Sequence, residues 1–72
     1  MSETPDNPTS SEVQRRLSTM AMTVRKLSER AAEALIAGRL EECEAFVEEC
    51  QTEVSKMMTF ARAHKEMLRR PS

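Results

Sequence analysis

Apolar residues recur along this chain in alternating steps of four and three. Val13, Leu17, Met20, Val24, Leu27, Ala31 and Ala34 form one run; Leu40, Cys43, Val47, Cys50, Val54, Met57, Ala61, His64 and Leu68 form a second, with His64 as its polar member. That spacing is the mark of a single stripe on an α-helix. Extending the first stripe puts its next positions at Gly38, Glu41, Ala45 and Glu48, so the second stripe is displaced by two residues. Discontinuities inside a continuous coiled coil are insertions of three or four. A reversal at Gly38, the only glycine, accounts for both the phase break and the residue. The pattern predicts an all-α fold: helix 1 over about residues 10–37, a turn at 38–39 and helix 2 over about 40–70, closed as an antiparallel two-helix hairpin.

The ends of these helices carry their own signals. Residues 1–9 hold Pro5, Asp6, Asn7 and Pro8 with almost no apolar content and read as a flexible tail. Thr9-x-x-Glu12 and Ser11-x-x-Gln14 each fit a capping box, which leaves the cap of helix 1 open between them. Helix 2 begins with Glu41, Glu42 and Glu44 and ends with Arg69, Arg70 and the stop Pro71, a charge order that suits the helix dipole.

Folding the second stripe back on the first pairs Ala34 with Cys43, Ala31 with Val47, Leu27 with Cys50, Val24 with Val54, Met20 with Met57, Leu17 with Ala61 and Val13 with His64. Apolar residues remain outside this seam. Phe46, Phe60 and Met67 form a flank of helix 2 joined by Met57, and Leu35 and Ile36 widen helix 1. An apolar surface of that extent marks an interface. A chain of 72 residues sits near the size at which one core is marginal, and two helices about 40 Å long have no third layer to cover them. The expectation is a hairpin that dimerises into a four-helix bundle or binds another protein.

Charge adds a second candidate surface. Residues 38–55 contain one base and six acids, whereas residues 56–72 contain five bases and one acid. Arg15, Arg16, Arg62, Lys65, Arg69 and Arg70 therefore gather at the open end of the hairpin as a basic pole. Such a pole suits either the acidic end of a second hairpin or nucleic-acid phosphates. A net charge of −1 and the absence of Trp and Tyr, which would stack bases, favour the protein partner over RNA or DNA.

Enzyme and metal chemistry find little footing. The one histidine, His64, cannot build a triad or a zinc site alone. Cys43 and Cys50 are seven apart, too far for a metal motif and, at about 10.5 Å along one helix, too far for a disulfide. Small fillers of the seam is the expected role for both. A di-iron bundle needs Glu-x-x-His, and Ala61 stands three before His64. No cofactor is expected. No run approaches 18 apolar residues and no basic-then-apolar leader is present, so a cytoplasmic protein without a membrane span is expected.

Around the turn, Ala31, Gly38, Leu40, Cys43, Val47 and Cys50 resemble a single tetratricopeptide motif, which implies a tight helical hairpin turn. In size and plan the chain is similar to the small two-helix co-chaperones of type III secretion, which cover a hydrophobic partner. It is similar as well to Rop-like hairpin dimers, which bind RNA. These resemblances imply a non-enzymatic adaptor, co-chaperone or regulator, with a Rop-like nucleic-acid-binding bundle as the alternative.

Overall fold

The computed structural model describes residues 9–69. Apart from Thr9, the predicted tail at 1–9 lies outside the described residues, as do Arg70 of the basic pole and Pro71. Helix α1 spans Ser10–Ile36, α2 spans Leu40–Ala63 and a short α3 spans Lys65–Arg69. The two long helices pack antiparallel as a hairpin, as the two stripes require.

Thr9 closes the start of α1. Its hydroxyl accepts from the Glu12 backbone N–H at 3.2 Å, and its own N–H donates to the Glu12 carboxylate at 3.2 Å. This reciprocal box satisfies two otherwise orphaned groups and resolves the choice between Thr9 and Ser11. At the other end α1 stops in a Schellman motif. The Arg39 N–H donates to the Ala34 carbonyl at 2.8 Å and the Gly38 N–H donates to the Leu35 carbonyl at 3.0 Å. Gly38 has φ +79°, the left-handed conformation that makes those bonds possible. Helix α2 starts immediately afterwards, with Arg39 held to Glu42 at 2.9 Å.

Helix 2 was expected to run unbroken to about residue 70; instead it stops at Ala63 and restarts at Lys65. His64 is the cause. Its Nδ1 lies 2.9 Å from the Phe60 carbonyl, which also receives the His64 backbone N–H at 3.2 Å. A carbonyl only accepts, so Nδ1 carries the proton in this contact. A side chain that occupies the carbonyl four residues back disturbs the helical ladder, and His64 sits at φ −119°, ψ 25°. The imidazole then lies against the Phe60 ring at 4.4 Å between centroids.

The hairpin is long and thin. Its Cα radius of gyration is 16.2 Å, where a compact domain of this length has about 11 Å. Among the described residues only Val13, Ala31 and Ala34 are buried, all of them on α1.

Gly38→Ala should lower stability by about 1 kcal/mol and Gly38→Val by more, measured by urea unfolding at one fixed protein concentration. No neighbour lies within 4 Å of an added Cβ, so the whole cost is conformational. A stabilising Gly38→Ala would mean that the helix prefers to run straight through.

Candidate functional site: an uncovered apolar side

The stripe on helix 1 is where the sequence places it. Val13, Ala31 and Ala34 are buried, and Leu17, Met20, Val24 and Leu27 are half-buried. The stripe on helix 2 is rotated. Phe46, Phe60 and Met67, expected on an outer flank, are half-buried along the row Cys43, Phe46, Cys50, Glu53, Met57, Phe60, His64, Met67. Val47 and Val54, expected in the seam, are 41% and 38% exposed. The change amounts to about 50°, half the 100° between consecutive residues. Its driving force is ring area: seating two phenylalanines removes more apolar surface from water than seating two valines.

Phe60 illustrates the seam's chemistry. The Arg16 guanidinium lies over its ring, 5.7 Å from the centroid, and His64 covers another part of it. The Cys50 thiol points across the seam to the Val24 carbonyl at 3.8 Å. Helix carbonyls tilt toward the C-terminal end, so Cys50 lies level with the stretch between Val24 and Leu27, close to its expected partner. Both cysteines are free and half-buried. Glu53 is an acid in the seam row, its side chain only 21% exposed and 3.9 Å from Lys56.

Rotation of helix 2 makes the two long sides of the hairpin unlike. One side is charged. It carries Arg16, Lys26 and Arg30 on helix 1 and Glu42, Glu49 and Lys56 on helix 2. The other side is apolar. Here Leu35 (57% exposed), Leu40 (57%), Val47, Val54 and Met58 (46%) meet the small residues Ala21, Ser28 and Ala32. A groove of about 750 Å³ runs along this side at the turn half, floored by Ala31, Cys43 and Cys50 and walled by Leu35, Val47 and Val54. A shallower cleft of about 560 Å³ opens on the other side between Met20, Lys56 and Phe60.

Of the residues expected at a partner interface, Leu35 lines the apolar groove and Ile36 stands 86% exposed beside the turn. Phe46, Met57, Phe60 and Met67 belong to the intramolecular seam instead. Leu40, Val47 and Val54 take their place on the uncovered side. Their spacing of seven was visible in the sequence, but it was assigned to the seam.

The basic pole forms at the open end, where Arg15 and Arg16 line a small cleft with Thr19 and Met20. Arg62, Lys65 and Arg69 belong to the same end by their place on α2 and α3. The ion pairs among the described residues are Arg25–Glu29, Arg39–Glu42 and Lys56–Glu53, each within one helix. None engages the pole. Among the described residues His64 and the two cysteines do not meet carboxylates in a cluster that could hold a metal. None of the described helices is long and apolar enough to cross a membrane. Compared with family models, curated proteins and solved structures, the chain finds no match.

Phe60→Ala should destabilise the fold by about 2 kcal/mol, because the ring joins helix α1, Arg16 and His64. Met22→Ala, on the outer face at 55% exposure, should change stability by no more than about 0.5 kcal/mol. Equal effects in urea unfolding would contradict the rotated seam.

Proposed function

We propose that the chain is a non-enzymatic protein–protein association module, an adaptor, co-chaperone or regulator acting in the cytoplasm. The observation that carries this reading is the asymmetry of the hairpin: one side carries Arg16, Lys26, Arg30, Glu42, Glu49 and Lys56, and the other holds exposed Leu35, Val47 and Val54 along a groove. Scattered exposed apolar residues are ordinary, but a row of them beside a groove, with three buried residues among those described, is an interface composition. Leu35, Leu40, Val47 and Val54 are the anchors, and Ser28, Ala31 and Ala32 let a partner helix approach closely.

A second reading rests on the basic pole. Arg15, Arg16, Arg62, Lys65 and Arg69 share one end and none joins the intrahelical ion pairs, so they are available to phosphates of RNA or DNA. The acids of helix 2 keep the net charge at −1, which weakens the long-range attraction such binding relies on.

A photo-crosslinking residue placed at Val47 in the native host should capture protein, whereas the same residue at Thr52, on the other side, should not. The pair Val47→Glu and Val54→Glu should abolish that capture while leaving helicity by circular dichroism unchanged. Equal capture from both positions, together with tight RNA binding at physiological salt that Arg62→Glu and Arg69→Glu remove, would replace this reading with the nucleic-acid one.

A further inference from the structure

Three neighbouring rows along α2 and its continuation α3, each with a spacing of seven, share a hidden symmetry. The row whose members Val47 and Val54 line the groove is Leu40, Val47, Val54, Ala61, Leu68, with Ala61 and Leu68 half-buried, and it reads much the same in both directions about Val54. The outer row is Glu41, Glu48, Ser55, Arg62, Arg69, and it inverts its charge about Ser55. The row between them, Glu44, Gln51, Met58, Lys65, inverts the charge of its ends about the same point. Apolar character is even about residues 54–55 and charge is odd. That is the pattern a surface needs to meet a copy of itself turned end for end.

Resting on the association reading, we propose that the occupant of the apolar side is a second copy of this chain, docked antiparallel with its two-fold axis at Val54. Val54 then meets the partner copy's Val54, Leu40 meets Leu68 and Val47 meets Ala61. At the rim Glu44 faces Lys65, Glu48 faces Arg62 and Glu41 faces Arg69. The opposite orientation, with both turns at one end, sets acids beside acids and bases beside bases, which is disfavoured. On helix 1 the axis falls near Val24 and Arg25. Small Ala21 and Ser28 flank it, and Arg25 brings its own counter-charge in Glu29 at 3.5 Å. A strip about 40 Å long and two helices wide offers on the order of 800 Å² per copy, the size of a standard stable interface. The contact is isologous, so it closes at two copies and leaves a four-helix bundle.

Two experiments on the full chain test this arrangement. In a Cys43→Ala, Cys50→Ala background, Val54→Cys should oxidise to a disulfide-linked dimer at micromolar concentration, and Thr52→Cys should not. The second experiment keeps the native cysteines. The double variant Arg62→Glu, Lys65→Glu and the double variant Glu44→Lys, Glu48→Lys should each raise the dimer Kd roughly tenfold at low salt. Mixing the two should restore an affinity near that of the unaltered chain, as a heterodimer. A dimer that forms without the Val54→Cys link, and whose charge variants fail to complement on mixing, would overturn the axis. If the unaltered chain stays monomeric at 100-micromolar concentrations (order of magnitude) while Val47 captures a different protein, the second copy is the wrong occupant and the association reading stands. If Val47 captures no protein at all, both fail together.

Discussion

Two helices share only one surface. Everything else in this molecule follows from that constraint, because each helix must bury its apolar residues on that surface or leave them in water. Helix α1 has a single stripe and seats it. Helix α2 has more apolar area than one seam can hold, and the seam takes the phenylalanines and leaves Leu40, Val47 and Val54 outside. The result is a fold with three buried residues among those described and a radius of gyration about half again that of a compact domain. Hydrophobic burial within one hairpin is small against the conformational entropy of ordering some sixty residues. Local bonds make up part of the difference: the Thr9 box, the Schellman turn and the intrahelical ion pairs all act within a few residues of sequence.

Much of this was legible in the sequence. The phase break at Gly38 gave the reversal, the capping signal gave the start of α1 to within two residues, and all seven positions of the α1 stripe face the seam. Helix 2 was harder to read because two apolar rows lie side by side on it. Choosing between Phe46 and Val47, or between Glu53 and Val54, depends on competition between side-chain areas for one partner surface, which periodicity alone does not weigh. Glu53 argues against the row that contains it on composition, yet two rings in the same row decide the outcome. The break at His64 was hidden for another reason. Histidine is not a helix breaker by propensity, and its reach back to the Phe60 carbonyl is a contact that periodicity does not announce.

The same competition connects fold to function. Had Val47 and Val54 filled the seam, Phe46 and Phe60 would have been left on the charged side, interleaved with Glu42, Glu49 and Lys56, where no apolar surface is continuous. Seating the rings inward leaves Leu40, Val47 and Val54 together on one side. The exposed apolar surface, on which the proposed interface lies, is thus the remainder left by the hairpin's own packing. Its three rows on helix 2 then acquire their even apolar pattern and odd charge pattern about residues 54–55.

A hairpin that depends on cover folds and associates in one process. Thermal unfolding of the pure full-length chain, followed by circular dichroism across a hundredfold range of protein concentration, measures this dependence directly. The midpoint should rise steadily with concentration, as mass action requires when the folded species is an assembly. A sharp transition whose midpoint is the same at every concentration would mean that one hairpin is stable uncovered, and would contradict the account.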